Sequence, residues 1–359
     1  MRKFSEPTVG GGTTSRREFL RMGGAGLAGI ALFGVASPGL GQTTGGIVSA
    51  LSLGIGPINT ATTNRVNLVK ALAYSTRHVV FPAGDYLIDN SGTPPIIRNF
   101  GGVVEFESGA RFVFTNNRTK GLVFEGGTLA RLYDIRTTFS TLPPVRVNAQ
   151  ECLHFTRTTD TLIQNANVNG SAAAGILFGR SVRPTVRNAT ITNTRADGLH
   201  FANCQNARVE LLRTSGTGDD GLAFVDYGGQ SLHGGFATDV EIRNTGARGI
   251  AVVGQSDVEI ANFLVDGTRG AGLYVTRELS YGTATPANVS YHDGEVVRAG
   301  TVLKDGSYGA NRHSLFYNGA TDRIVFSRIT SRCPYALHVA TGGQPSRATL
   351  TDITKSSTC

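Results

Sequence analysis

The chain has 359 residues, of which 40% are hydrophobic and 17% charged, and its formal net charge is +8. Abundant glycine and threonine with this hydrophobic content suffice for one large β domain. The basic charge raises the question of a nucleic-acid partner, but there is no lysine-rich arm or RNA-binding motif, so none is expected. The four cysteines lack the spacing of metal ligands, so they predict no metal site.

The first 41 residues are predicted to be a Tat signal peptide and leader. Arg16 and Arg17 precede a mildly hydrophobic run, rich in glycine and alanine, over residues 22–36. A twin arginine in this position is typical of signals that export folded proteins. The run is too short and too glycine-rich to span a membrane comfortably. We therefore expect a periplasmic or extracellular protein that is free of the membrane once the signal is cleaved; a buried helix behind a chance arginine pair is the alternative.

Residues 42–57 are expected to be a flexible linker, and residues 58–359 a single β domain. Apolar residues at helical spacing predict a short amphipathic helix over residues 64–74. A strand, a Pro-Ala-Gly turn and a second strand follow over residues 78–88. Since the open end of a solenoid invites further strand pairing, this segment is predicted to be an N-terminal cap with a capping helix.

From residue 173 to residue 271 the chain repeats a small or charged residue, a glycine and an apolar pair. The marker glycines, separated by 23, 23, 28 and 23 residues, are Gly175, Gly198, Gly221, Gly249 and Gly272. A period in the low twenties is the signature of a solenoid. Runs of Val, Ile, Leu and Phe broken by Gly, Asn, Thr and Asp favour a parallel β-helix, and the pattern of a leucine-rich repeat is absent. The predicted fold is all-β, with about 23 residues per coil.

The position before each marker glycine predicts an active site. Residues one period apart stack on successive coils, ~4.8 Å from each other. The resulting column, with Asp219 beside it, is Ala174, Asp197, Asp220, Arg248 and Ala271. Stacked carboxylates raise one another's pKa unless a cation or water intervenes. Three carboxylates and a guanidinium therefore converge as the candidate catalytic group.

Other candidate site residues flank this column. His200 is expected on the outward face of its strand, between two inward apolar residues, in one stack with Tyr274. The 28-residue turn holds a five-residue excess at residues 227–235, which includes His233, and the longer turn after Gly272 includes Arg277. Loops beside a rigid scaffold usually carry binding residues, so both turns are predicted to wall a cleft over the acids.

Two further patterns concern the scaffold. In an exported protein Cys333 and Cys359 would staple the C-terminal end, although free buried thiols are equally compatible with the sequence. Cys152 and Cys204 are 52 residues apart, so they are not on adjacent coils and are not expected to pair. A shared phase predicts an interior asparagine ladder at Asn165, Asn188 and Asn262.

Three segments resemble the polygalacturonase family, glycoside hydrolase family 28. The family shows Asn-Thr-Asp-Gly, then Gly-Asp-Asp, then Gly-His-Gly; the matching segments here are residues 194–198, 218–221 and 246–252. The turn at residues 81–84 is similar to that of the wider pectin-lyase-like superfamily. The resemblance implies a right-handed parallel β-helix over most of residues 60–345. Over residues 194–252 it implies a hydrolase that acts on a polysaccharide or oligosaccharide.

The resemblance also implies roles for the acids. Asp219 would protonate the glycosidic oxygen, while Asp197 and Asp220 would activate water with inversion, which needs carboxylates ~6.5–9.5 Å apart. Their mutual repulsion would keep one acid protonated. Arg248 replaces the family's histidine, and Arg277 is one residue away from the family's Arg-Ile-Lys segment. Because those cations hold the substrate's carboxylate in polygalacturonases, galacturonan specificity is not implied; Arg248 would orient an acid, clamp an anionic sugar or form a structural salt bridge.

Three other interpretations stay open. In a polysaccharide lyase or uronate epimerase, the aspartates would bind Ca²⁺ and Arg248 or His200 would take the sugar proton. In a non-catalytic carbohydrate-binding solenoid, the acids would only bind sugar hydroxyls. In a purely structural interpretation, they are aspartates at turn corners. The hydrolase interpretation needs a polysaccharide substrate and no cofactor or metal, and coil stacking needs no partner chain, so a monomer is expected.

Overall fold

The computed structural model describes residues 46–230, 233–301, 312–318, 321–342 and 347–359. The chain divides into two compact units, residues 1–41 and 42–359, and all described residues belong to the second. The predicted Tat signal lies outside the described residues. No helix in the described part is long and apolar enough to cross a membrane.

The described chain winds into a parallel β-helix with two sheets. One sheet, here called the long-strand sheet, has fifteen strands in the described residues: β1 Ile47–Ser49, β2 His78–Phe81, β3 Gly84–Ile88, β5 Val103–Phe106, β6 Ala110–Phe114, β8 Arg131–Tyr133, β9 Arg136–Phe139, β11 Leu162–Ser171, β13 Thr185–Thr194, β15 Ala207–Ser215, β17 His233–Thr245, β19 Ser256–Thr268, β21 Ala287–Val297, β23 Asp322–Arg332 and β25 Ala348–Ser356.

The other, the short-strand sheet, has ten strands in the same residues: β4 Ile96–Arg98, β7 Leu122–Glu125, β10 Leu153–Thr156, β12 Ile176–Gly179, β14 Leu199–Ala202, β16 Leu222–Val225, β18 Ile250–Val253, β20 Leu273–Thr276, β22 Leu315–Asn318 and β24 Val339–Thr341. Strands of successive coils pair in parallel without a change of register, as in Leu199↔Leu222 and Leu222↔Ile250. The predicted repeat is therefore confirmed.

The core lies between the two sheets and is built from stacked identical positions. Five phenylalanines of the short-strand sheet stack along the axis with ring centroids 4.7–5.5 Å apart: Phe124, Phe155, Phe178, Phe201 and Phe224. The marker glycines lie where the sheets approach most closely. A Cβ atom on Gly249 would stand 2.3 Å from Val265, and one on Gly198 would stand 2.6 Å from the carbonyl oxygen of Gly221. These turns therefore require glycine because there is no room for a side chain.

The N-terminal end is capped as predicted. Helix α1, Ala61–Leu72, begins at Thr60, whose side chain accepts a hydrogen bond from the backbone of Thr63. Buried Leu68 belongs to the hydrophobic core. The expectation of a flexible linker is wrong for residues 47–57. Strand β1 pairs with the outer edge of β2, and Ile55 is fully buried, so this segment extends the cap.

The asparagine ladder is present, but on the outside. Asn165, Asn188 and Asn262 have φ of 57°, 52° and 50°, at the point where the long strands bend. Asn188 is exposed, and its Nδ2 donates to Asn165 Oδ1 at 2.8 Å. The predicted interior ladder is wrong because the bend needs left-handed residues, which asparagine tolerates better than most side chains do.

The cysteines resolve the alternatives that the sequence left open. Cys333 and Cys359 form a disulfide, which ties the end of β23 to the C-terminus. Cys152 and Cys204 are buried free thiols, in agreement with the prediction that they do not pair.

Candidate functional site

The predicted column is built by main-chain hydrogen bonds between coils. The amide of Gly198 donates to the carbonyl oxygen of Asp220 at 2.9 Å, and that of Gly221 donates to the carbonyl oxygen of Arg248 at 3.0 Å. Each bond places the residue before one marker glycine beside its counterpart on the next coil. Asp197, Asp220 and Arg248 therefore stack along the edge of the short-strand sheet.

Asp197 and His200 form a buried pair at the start of β14. Asp197 Oδ2 contacts His200 Nδ1, and Asp197 Oδ1 accepts a hydrogen bond from the backbone of Asp220 at 3.0 Å. Burial alone would raise the pKa of Asp197, but the attraction and hydrogen bond of His200 outweigh it, and the pKa is lowered. His200 Nε2 is buried and has no hydrogen-bond partner among the described residues.

Asp219 and Asp220 show the opposite shift. Burial raises the pKa of Asp219, and the negative charge of Asp197 adds to the effect; Arg248 and Arg146 reduce it. Burial also raises the pKa of Asp220 well above its usual value, against the attraction of Arg248. Neighbouring carboxylates thus have pKa values displaced in opposite directions, as the stacking argument predicted for at least one acid.

Arg248 holds the acids together. Its Nε lies 3.1 Å from Asp220 Oδ1, and its backbone amide donates to the same oxygen at 2.9 Å. One terminal nitrogen lies 3.9 Å from Asp219, the other 3.5 Å from Glu278. The guanidinium lies 4.6 Å from the ring centre of Tyr274, whose hydroxyl donates to Glu278 at 3.2 Å. Arg248 therefore has the salt-bridge geometry that was one of its predicted roles.

The three aspartates also have the oxygen ligands of a cation site. One oxygen from each of Asp197, Asp219 and Asp220 lies within 4.8 Å of the other two. Calcium prefers such ligands. However, the guanidinium of Arg248 already lies against two of these carboxylates and would repel a second cation there. The cluster fits a divalent ion poorly while Arg248 is in place.

The two insertions meet over the site. Tyr227, from the first, stacks on His200 with ring centroids 6.0 Å apart. The second contains a short 3-10 helix, Leu279–Tyr281, and the ring of Tyr281 meets that of Tyr227 edge to face at 6.1 Å. Along with Glu278, these contacts form the expected wall beside the acids.

Two predicted binding residues lie away from the acids. Arg277 donates to the carbonyl oxygen of Thr283 within its own loop. His233 begins β17 of the long-strand sheet and pairs with Asp257 at 3.0 Å. These two predictions are wrong because the loop turns Glu278, not Arg277, toward Arg248, and because residue 233 has already joined the other sheet.

Three residues of the site were not among the predicted candidates. Glu278 and Tyr227 lie in the insertions, whose conformation no repeat pattern predicts. Arg146 lies 73 residues before Asp219 and contacts its Oδ2 at 2.6 Å. It comes from the connection between β9 and β10, and no multiple of the coil period relates the two positions.

A second charged cluster occupies the same sheet edge two coils away. Lys120 contacts Glu151 Oε2 and lies 2.9 Å from His154 Nδ1, which is itself 3.3 Å from Glu151. Burial would raise the pKa of Glu151, but His154 and Lys120 together lower it to about 2. A period of 23 back from Ala174 leads to Glu151, so the sequence held the signal for this cluster.

Comparisons with known proteins support the fold. A family model described as a right handed beta helix region matches residues 145–277. A search of curated proteins finds no match. At identities this low, the structural similarities below show the fold alone, which is a right-handed parallel β-helix.

Three solved structures illustrate the similarity. The mannuronan C-5 epimerase A-module of Azotobacter vinelandii has a TM-score of 0.61 and 11% identity, over 87% of this chain and 96% of that one. The catalytic domain of a GH87 alpha-1,3-glucanase has a TM-score of 0.59 and 16% identity, over 89% of this chain and 59% of that one. An exopolygalacturonase from Thermotoga maritima has a TM-score of 0.56 and 10% identity, over 86% and 91%.

Proposed function

We propose that the chain is an exported glycoside hydrolase that cleaves a polysaccharide or oligosaccharide by an inverting, paired-carboxylate mechanism. The observation that carries the proposal is the opposite displacement of pKa in adjacent acids, lowered in Asp197 and raised in Asp219. Such a division is how two carboxyl groups come to act as base and acid at one pH. The names of the similar glucanase and exopolygalacturonase agree with a glycan substrate.

Asp219 has the properties of the general acid. Its side chain is 20% exposed, against 11% for Asp197 and 5% for Asp220, so it is the most accessible of the three to a substrate. Its raised pKa retains the proton that the leaving oxygen needs. Arg146 orients this carboxyl group from the opposite side to Arg248.

Asp197 has the properties of the base. Its lowered pKa keeps it ionised at neutral pH. A carboxylate offers about four acceptor positions, and the backbone of Asp220 and the ring of His200 use two of them. The remaining positions are available to the attacking water. Asp220, the most buried acid, fixes Arg248 and so maintains the arrangement.

The separation of the acids bears on inversion. Carboxyl groups in inverting enzymes lie ~6.5–9.5 Å apart with a water between them. Here the nearest oxygens lie within 4.8 Å, a gap that one water spans with two hydrogen bonds of about 2.8 Å. The anomer released first, followed by NMR, tests the stereochemistry; retained configuration would contradict the inverting step while leaving hydrolysis intact.

Export is supported by the twin arginine and by the disulfide between Cys333 and Cys359, a bond typical of oxidising compartments. Expression with the native N-terminus, followed by fractionation, tests it. Accumulation outside the cytoplasm should be lost when Arg16 and Arg17 are both replaced by lysine. Unchanged export of that double variant would contradict the Tat route.

The test of hydrolysis is a panel of neutral and acidic glycans, followed by reducing ends and by absorbance at roughly 235 nm, with Asp219→Asn and the matched control Asp160→Asn. Asp160 pairs with Arg183 outside the site. New reducing ends without absorbance, lost only in Asp219→Asn, support the proposal, because removing a general acid typically costs about 10²–10⁴-fold in rate. Binding without cleavage of any glycan would make the site a carbohydrate-binding surface instead.

A lyase or epimerase is the second candidate, favoured by the unpartnered Nε2 of His200. Asp197 holds the opposite ring nitrogen, as carboxylates do in histidines that act as bases. Such an enzyme removes the proton beside a uronate carboxylate. Absorbance at roughly 235 nm that requires calcium, or proton exchange into uronate units without cleavage, would identify it and would contradict hydrolysis.

A further inference from the structure

The nitrogens of Arg248 that face the site are all engaged by carboxylates of the protein. Asp220, Asp219 and Glu278 lie 3.1, 3.9 and 3.5 Å from its three guanidinium nitrogens. Tyr274 covers one face of the guanidinium at 4.6 Å. A sugar carboxylate in this position would be a fourth anion on the same cation. Arg248 therefore stabilises the acids and does not serve as a substrate clamp.

The charges around the site favour the negative sign. Four carboxylates face two guanidiniums and one histidine: Asp197, Asp219, Asp220 and Glu278 against Arg146, Arg248 and His200. Two further arginines nearby donate to main-chain oxygens, Arg277 to Thr283 and Arg195 to Pro143. An anionic ligand would thus meet more negative than positive charge in a water-poor setting, where repulsion is least screened.

The same site suits an uncharged sugar. Carboxylate oxygens accept hydrogen bonds from hydroxyl groups, and the site has more such acceptors than cations. Tyr281, whose ring lies edge to face against Tyr227, is 62% exposed beside His200 and offers a surface for the apolar face of a pyranose. We propose that the site selects uncharged pyranose units and rejects uronates. This inference rests on the proposed glycan function, and it assigns the chemical class of the substrate.

The test uses matched pairs of glycans, each a uronan and its carboxyl-reduced derivative, so that linkage is constant and only the carboxylate differs. Polygalacturonate and alginate serve as two such parents, alongside neutral α- and β-glucans. Binding is measured by affinity gel electrophoresis and cleavage by reducing ends. For any pair that binds, the uncharged member is expected to bind at least about tenfold more tightly, the equivalent of one close charge contact.

Glu278→Gln sharpens the test because it removes one of the three carboxylates on Arg248. The ratio of uronan to uncharged dissociation constants is expected to fall by about tenfold. Glu210→Gln is the matched control. Glu210 has a side chain 20% exposed, against 21% for Glu278, and it also contacts two arginines, but it lies on the long-strand sheet. Its ratio should equal that of the wild type.

The outcomes separate this inference from the proposed hydrolysis. Cleavage of a uronan in preference to its reduced partner would overturn the inference and leave hydrolysis standing. Binding of the uncharged member without cleavage would support the inference and contradict hydrolysis. Absence of both binding and cleavage across the panel would overturn both. An equal shift in Glu278→Gln and Glu210→Gln would overturn the role given to Arg248.

Discussion

Two carboxylate–histidine pairs occupy equivalent positions two coils apart. Glu151 and His154 lie in the same columns of the short-strand sheet as Asp197 and His200. In the first pair Lys120 supplies a matching cation, and the pKa of Glu151 falls to about 2. In the second, two further aspartates add negative charge, and their pKa values rise.

The difference lies in the balance of charge, since the backbone scaffold is the same. A carboxylate with enough cationic partners is held ionised and contributes to stability. A carboxylate crowded by others in a buried position retains its proton and is poised for acid chemistry. The insertions add to the contrast, because Tyr227 and Glu278 lie over the second cluster only among the described contacts. The first cluster is therefore interpreted as structural and the second as functional.

The largest expected effect is on activity. Asp197→Asn removes the ionised member of the second pair, and kcat/KM should fall by roughly 10²–10⁴, the usual contribution of a general base. Glu151→Gln should change kcat/KM by less than about twofold. The measurement is initial rates on whichever glycan is cleaved. Comparable losses in the two variants would break the distinction between the clusters.

The next effect is on stability. Glu151→Gln leaves Lys120 without its carboxylate, which should lower the free energy of unfolding by about 3 kcal/mol, the lower end for a broken buried pair because Lys120 keeps some exposure. The folded pKa of Glu151, about 2, lies below its usual 4.5, so its contribution is present above pH 4.5 and is lost as the pH falls toward 2. Urea unfolding of variant and wild type should converge over this window; a constant difference would contradict the ion pair.

The opposite pH dependence is expected at the second cluster. Burial raises the folded pKa of Asp220 well above its usual 3.8. The wild type should therefore lose stability as the pH rises from about 4 through that raised pKa, because the folded state resists ionisation. Asp220→Asn cannot ionise, so its melting temperature relative to the wild type should increase over the same range and stay level below pH 4. A relative decrease with rising pH would contradict the raised pKa.

The repeat and the acidic column were predictable because a solenoid converts sequence period into spatial contact. The spacing of the marker glycines placed Asp197, Asp220 and Arg248 on successive coils, and the backbone bonds follow that register. The linker was mispredicted because residues 47–57 carry no repeat pattern, although they pack on the first coil. Short apolar segments at a domain end give no periodic signal of their burial.

The rest of the site could not be predicted from the period. Arg146 and Glu278 reach the acids from connections whose course depends on packing against the coils. The first cluster was within reach, but its coil has Cys152 in the place of the marker glycine, and this concealed the equivalence of Glu151 with Asp197. Periodic positions are thus readable from sequence, whereas contacts made by insertions require the structure.

The smallest expected effect concerns the wall that only the second cluster has. Tyr281 is 62% exposed, and its described ring contact is the one with Tyr227, so Tyr281→Ala should leave the melting temperature nearly unchanged. An aromatic ring under a sugar contributes about 0.5–1.5 kcal/mol, which corresponds to a two- to tenfold rise in KM with kcat retained. Tyr335→Ala is the matched control, since Tyr335 is 61% exposed and stacks on Arg312 away from the acids. If both variants raise KM equally, or if Tyr281→Ala lowers kcat instead, the insertion does not act as a sugar platform, and the contrast between the clusters reduces to their charges alone.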